Sequence, residues 1–293
     1  YRFIKPFVDC EKLEEVICPD IDQELHLWRL VHLVEQPKNL KRLQVRSTTD
    51  LVGRKKELEL LLERSETVLA GLGRVALILG DPGIGKSRLV IEWKRSLRSQ
   101  YQRTRIRWIE ANALSFGREL AYHLLKELIR AIVEIPENAT RQETVKLLKS
   151  SLNNMLIDEA EKYYPYLAHL MDIPLSKTEE ENIHRLVAAE LKAQYLNAIL
   201  ALLRRLAAEQ PLIIVLEDLH WADTSSVDIL IELLSLTTSL PILFCLVSRQ
   251  DRESSGWRLV TTAREKIGPR LTEITLENLD QAESQTLVKQ LIE

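Results

Sequence analysis

Short apolar runs recur along the chain at Val75 to Leu79, Ile106 to Glu110, Leu212 to Leu216, Ile242 to Val247 and Leu271 to Leu276. Each is too short for a core helix and rich in leucine or β-branched residues, so each reads as a strand. Between them the apolar positions fall at helical spacing over Arg54 to Leu69, Lys86 to Arg98, Glu119 to Val133, Thr140 to Leu156, Glu179 to Ala208, Ser225 to Leu236 and Gln281 to Ile292. Pro136 and Pro211 stand just beyond helical runs, and Asp280 stands before the last one. Strands alternating with helices predict an α/β fold, with a parallel sheet covered on both faces. The long interval between the second and third strands, about 113–209, carries only helical patterns, with Leu120, Leu124, Leu125, Leu128, Ile129 and Ile132 at helical spacing. It is expected to be an all-helical insertion.

Residues 1–46 have a different character, and Pro37-Lys38-Asn39 through Arg46-Ser47-Thr48-Thr49 reads as a polar linker. The 293 residues suit one large or two ordinary domains, and 45% hydrophobic with 28% charged residues suits a globular chain. A net charge of -3 and a pI near 6.2 argue against a nucleic-acid footprint over the whole surface. Lys94, Arg95, Arg98, Arg103, Arg105 and Arg107 cluster at a helix end, where cations suit the dipole, and read as a solvated face. Cys10, Cys18 and Cys245 show neither metal-ligand spacing nor a disulfide framework, which fits a reducing cytoplasm. No apolar run approaches the roughly 20 residues that span a membrane, and no signal peptide is recognisable. The chain starts at Tyr1 rather than methionine, so it is expected to be a piece of a longer protein.

The chemistry concentrates at the ends of the predicted strands. Gly80-Asp81-Pro82-Gly83-Ile84-Gly85-Lys86-Ser87 reads G-x-x-x-x-G-K-S between a strand and a helix, a phosphate-binding loop. Its glycines let backbone N–H groups face a phosphate, and the helix adds its positive end. Lys86 is expected to reach the β and γ phosphates and Ser87 to take a place on Mg²⁺. The run Leu212 to Leu216 ends in Glu217-Asp218, which places Glu217 as the Mg²⁺ residue and Asp218 as the candidate base. Ser248-Arg249 ends the fourth strand, where Arg249 is positioned to sense a γ-phosphate. In His220-Trp221-Ala222-Asp223, Asp223 or Thr224 reads as a helix N-cap and Trp221 as a packing residue. Ahead of the loop, Leu51-Val52-Gly53-Arg54 precedes a helix that Thr49 or Asp50 is placed to cap, and Gly53 permits close approach of a flat ligand such as adenine.

As a set, Leu51 to Arg54, Gly80 to Ser87 with Arg88-Leu89, and Val215 to Asp223 resemble the AAA-type ATPase domain of signal-transduction NTPases, the STAND class. The variety is that found behind class III adenylate/guanylate cyclase domains and in large LuxR-type regulators, and the resemblance covers about residues 48–293. It implies a P-loop NTPase sheet ordered 5-1-4-3-2 in chain order. It also implies ATP or ADP at Gly80 to Ser87 and Arg88, adenine against backbone near Val52 and Gly53, Mg²⁺ near Ser87 and Glu217, and a sensor arginine at Arg249. Lys55 stands where the family usually has an acid, and Glu217-Asp218 where it often has two aspartates. Leu27-Trp28-Arg29-Leu30-Val31 is similar to the last strand of a class III cyclase domain, but no cyclase catalytic residues are present, so no cyclase activity is expected. The implied function is ATP binding with slow Mg²⁺-dependent hydrolysis, acting as a switch in a multidomain signalling protein. Its partners would be regulatory domains in cis, with a further helical domain from about residue 280. No membrane contact is expected in this chain, and nucleic acid is not expected as a partner. The alternatives are a nucleotide-holding scaffold without turnover, and a DNA-associated ATPase resembling origin-recognition proteins.

Overall fold

The computed structural model describes residues 8–12, 16–17, 24–25, 28–33, 51–101, 106–115, 117 and 120–292. They group into two compact units, residues 1–52 with 285–293 and residues 53–284. In the first unit, β1 (Val8–Lys12) pairs antiparallel with β4 (Trp28–Leu33), with a register shift between Asp9 and Cys10. There β2 (Val16–Ile17) pairs antiparallel with β3 (Glu24–Leu25). Of the stretch compared with a cyclase strand, Trp28 to Val31 lie on β4. The polar linker and the expected caps Thr49 and Asp50 lie outside the described residues.

The second unit is built on five parallel strands: β5 (Arg74–Leu79), β6 (Arg107–Asn112), β7 (Leu212–Glu217), β8 (Ile242–Ser248) and β9 (Leu271–Thr275). Their order is β6-β7-β8-β5-β9, which is the implied 5-1-4-3-2. Every residue of β8 is buried, as is all of β5 beyond Arg74, because strands covered on both faces need apolar side chains at successive positions. Cys245 sits in β8 as a small core residue, and burial pushes its thiol up. In-register pairing sets Leu79 beside Ser248 and Asn112 beside Glu217, so the strand ends that carry chemistry lie on one edge.

The helices α1 (Lys55–Leu69) and α2 (Lys86–Gln100) flank β5 in sequence. The insertion supplies α3 (His123–Ile132), α4 (Arg141–Leu156), α5 (Ala160–Leu170), α6 (Lys177–His184) and α7 (Ala188–Glu209). Then come α8 (Thr224–Leu233), α9 (Ser255–Lys266) and α10 (Gln281–Ile292). Leu124, Leu125, Leu128, Ile129 and Ile132 of α3 are fully or nearly fully buried, each contributing about 1.5–3 kcal/mol against exposure. Leu120, expected on the same face, is outside the helix and exposed, because Tyr122 turns the backbone left-handed before α3 begins.

The helix expected over Glu179 to Ala208 is two helices, α6 and α7, bent by 120° at the break. Ser176 opens α6 through a reciprocal capping box with Glu179, and Val187, in extended geometry, restarts the chain where its N–H meets the Glu190 carboxylate. Neither α5 nor α9 was expected from the apolar pattern; Pro165 inside α5 is the reason in the first case. Much of the basic cluster is paired, Lys94 with Glu110 and Arg107 with Glu134, both at 3.0 Å, while Arg103 and Arg105 lie outside the described residues. Among the described residues no single helix is long and apolar enough to cross a membrane.

Candidate functional site

Strand β5 delivers the chain into the loop Gly80 to Gly85, whose Gly83 and Gly85 have φ of 75° and 103°. A side chain at either position would strain that left-handed backbone, and glycine does not. Gly85 then starts α2, its carbonyl accepting from the Leu89 N–H at 2.9 Å. Asp81, Pro82 and Gly83 are exposed, so the loop faces solvent at the positive end of α2. The nearly buried Lys86 side chain folds back across this loop, and Nζ donates to the carbonyl oxygens of Gly80 and Asp81, each at 2.8 Å.

Across the edge, Ser87 Oγ donates to Glu217 Oε2 at 2.6 Å. Burial pushes the Glu217 carboxyl above the usual glutamate range; the Ser87 hydrogen bond works against this, while Glu110 and Asp218 add to it. Asp218 follows in a left-handed conformation, φ 54°, which aspartate tolerates better than most residues, and its carbonyl accepts from the Trp221 N–H at 2.8 Å. The tight turn Leu219–Trp221 carries His220, whose imidazole is only 2% exposed and whose pKa is lowered by burial first and by Arg249 next. The Arg249 guanidinium lies 5.4 Å from the Trp221 ring centroid, a cation–π arrangement.

Burial, and then Arg249, also lower the Lys86 ammonium, whereas Asp218, Asp81 and Glu217 hold it up. Two cations and three carboxylates therefore converge on one rim of the sheet. A polyanion accompanied by a divalent cation would satisfy both signs: the anion against Lys86, Arg249 and the α2 N-terminus, the cation against Ser87 and Glu217.

Sequence reasoning passed over two residues here. Ser248 ends β8 beside Leu79, and its buried Oγ has no hydrogen-bond partner among the described residues. The signal was a hydroxyl closing an otherwise apolar strand. Arg54 is 6% exposed; its guanidinium donates to Glu57 Oε1 at 3.2 Å, to the carbonyl of Ile84 at 3.5 Å and to the carbonyl of Glu277. It thus ties the Gly80 to Gly85 loop to the chain leaving β9. Gly53, at φ 68°, lies so close to Glu283 that an added Cβ would sit 2.5 Å from its carboxyl carbon. Glu283 in turn closes a reciprocal box with Asp280 at the start of α10.

Residues 50–247 match the family model of the AAA ATPase domain. The chain belongs to that family. An uncharacterized protein of Rhizobium meliloti (strain 1021) is 28% identical to this AAA ATPase domain over 204 residues, covering 70% of this chain and 19% of that protein. Among solved structures, the Aeropyrum pernix ORC1 protein in complex with DNA is similar at TM-score 0.48 and 18% identity, covering 83% of this chain and 50% of that one. Drosophila ORC bound to poly(dA/dT) DNA and Cdc6 follows at TM-score 0.38 and 15% identity, covering 87% and 32%. Neither likeness bears on ligands or partners.

Within the AAA ATPase domain the structure brings Gly80, Asp81, Lys86, Ser87, Glu217, Asp218 and Arg249 to one rim. Arg88 is drawn along its helix to Glu92, at 3.5 Å. Val52 groups with the N-terminal unit and Gly53 with the ATPase unit. Of the two residues read as caps, Asp223 is the one that caps α8, accepting from the Ser226 N–H at 2.8 Å.

Proposed function

We propose that the domain binds Mg·ATP at the Gly80 to Ser87 loop and hydrolyses it slowly, using the cycle as a conformational switch within a longer regulatory protein. The observation that carries this reading is the 2.6 Å contact between Ser87 Oγ and Glu217 Oε2, with Lys86 held 2.8 Å from two loop carbonyls beside it. A loop hydroxyl and a strand-end carboxylate in contact form a ready pair of oxygen ligands for Mg²⁺, whose bound charge would neutralise the phosphates. Lys86 exchanges its carbonyl partners for β and γ phosphate oxygens, and the N–H groups leading into α2 take the remaining phosphate oxygens.

In this reading Asp218 orients or deprotonates the attacking water, a role supported by its position directly after Glu217 at the strand end. Arg249 and the Ser248 hydroxyl, unpartnered among the described residues, are the groups that distinguish ATP from ADP, and backbone near Val52 and Gly53 holds adenine. Regulatory domains of the longer protein are the partners, a class III cyclase domain on the N-terminal side being one such output. The proposed setting is cytoplasmic, and the net charge of -3 disfavours nucleic acid as a ligand of this domain.

Single-turnover hydrolysis tests the reading. Asp218→Asn keeps Mg·ATP binding within a few-fold and slows hydrolysis by roughly 10²–10⁴, as loss of a general base does. Hydrolysis by Asp218→Asn at the wild-type rate would remove the base assignment. Tight binding with no hydrolysis by the wild type itself would leave a nucleotide-holding scaffold.

A further inference from the structure

The carboxylate of Asp223 is 3% exposed and faces no cation in hydrogen-bonding range among the described residues; its partners are N–H and O–H donors from two helices. Oδ1 accepts from Ser226 N–H and from Tyr122 N–H, both at 2.8 Å. Oδ2 accepts from Ser226 Oγ at 2.6 Å and from Leu124 N–H at 3.3 Å. Ser226 Oγ, held by that bond, accepts from Leu125 N–H at 3.2 Å. One acid therefore caps α8 and, at the same time, α3, the first helix of the insertion. Its charge is balanced by two helix N-termini.

Asp223 also stands just beyond the turn that carries Asp218 and His220, with only Ala222 between it and Trp221. That turn is gripped elsewhere. Ser255 Oγ at the start of α9 donates to the Ala222 carbonyl. Gly256 packs so tightly on Leu219 that an added Cβ would lie 1.9 Å from the Leu219 carbonyl oxygen. Arg249 covers Trp221. Asp218, at φ 54°, stands at the head of this gripped turn.

From this geometry we infer that Asp223 is a positioning residue: through one buried carboxylate it fixes the placement of the Asp218 to Trp221 turn to the orientation of the helical insertion. A displacement of α3 relative to α8 cannot occur without breaking or dragging these bonds, so the insertion has a direct mechanical route to the turn. The consequence for turnover rests on the ATPase reading above; the mechanical coupling does not.

Two readouts on the full chain test it. In Asp223→Asn the amide turns an NH₂ toward N–H donors that need an acceptor. Amide exchange followed residue by residue is expected to rise at least tenfold at Tyr122, Leu124 and Ser226, and also at Trp221 and Ala222, whose N–H groups bond only within the turn. Faster exchange confined to Tyr122, Leu124 and Ser226 would make Asp223 a double helix cap with no hold on the turn, and would overturn the inference. In the same variant kcat is expected to fall on the order of tenfold to a hundredfold with KM for ATP within twofold. Unchanged kcat in a variant whose turn exchanges faster would likewise overturn the catalytic consequence. If Asp223→Asn does not fold, Ser226→Ala removes only the hydroxyl that joins Asp223 to Leu125, and the same division between cap and turn amides decides. A wild type without hydrolysis defeats the proposed function while the exchange comparison still judges the coupling.

Discussion

Lys86 is the residue on which the phosphate assignment stands or falls. Its ammonium already makes two hydrogen bonds to loop carbonyls, so a bound nucleotide would exchange neutral acceptors for charged ones. Removing it in Lys86→Ala should cost about 1.5–3 kcal/mol, roughly tenfold to a hundredfold in ATP affinity. ADP affinity should fall less, because the lysine's second phosphate partner is missing. Titration calorimetry giving equal ATP affinities for variant and wild type would refute the site. The meeting of Ser87 and Glu217 beside Lys86 was legible in the sequence because their spacing around a strand and a helix has a chemical reason visible in one dimension. Arg54 was not, because its partners are carbonyl oxygens of Ile84 and Glu277, and no pattern of residue types announces a backbone acceptor 223 positions away. Ser248 is overshadowed in the sequence by its neighbour Arg249: only the parallel register that sets it beside Leu79 shows that a lone buried hydroxyl ends next to the Gly80 to Gly85 loop.

At the scale of elements, each strand of the five-stranded sheet was readable to within two residues, and in β5, β7 and β8 this is because two-sided burial leaves continuous apolar runs. Helices were less so. α5 contains Pro165, and α6 with α7 reads as one helix until the chain at Val187 proves extended. Tertiary contacts decide such cases, and a second acid shows how. Asp228 on α8 accepts from Lys192 of α7 at 2.6 Å and from Arg258 of α9, so it joins the insertion to the sheet's own helices. Burial works to raise the Asp228 carboxyl, but Lys192 and Arg258 outweigh it and hold it below the usual aspartate range. A depressed pKa means the folded state favours the ionised form. The stabilisation is therefore fully present above the unfolded-state value of about 3.9 and is lost as pH falls through the lower folded value. Asp228→Asn should melt below the wild type at neutral pH, and the gap should close as pH is lowered past about 4. A gap that stays constant down to strongly acid pH would show that the clamp contributes nothing through charge. The partly exposed setting keeps its worth small in any case.

For the whole molecule the question is whether one phosphate can drive a switch. Moving a population from 1:99 to 99:1 requires about 10⁴-fold preference for one state, near 5.5 kcal/mol. A single arginine–phosphate contact supplies roughly 1.5–3 kcal/mol. Arg249 acting alone therefore cannot complete the transition. It lies 5.4 Å from the Trp221 ring centroid, so any movement it makes is felt by the turn that carries Trp221. The remainder has to come from Lys86, Ser248 and the turn that Trp221 belongs to, all of which meet at the same rim. Arg249→Ala should consequently shrink, and not abolish, the difference between the ADP state and the state with a non-hydrolysable ATP analogue, while leaving ADP affinity within about twofold. Hydrogen exchange at Leu219 to Ala222 in the two nucleotide states measures that difference directly. Loss of the entire difference in Arg249→Ala would make the arginine the sole sensor, and an undiminished difference would exclude it from sensing; identical protection in the wild type would show that γ-phosphate binding leaves the rim unmoved.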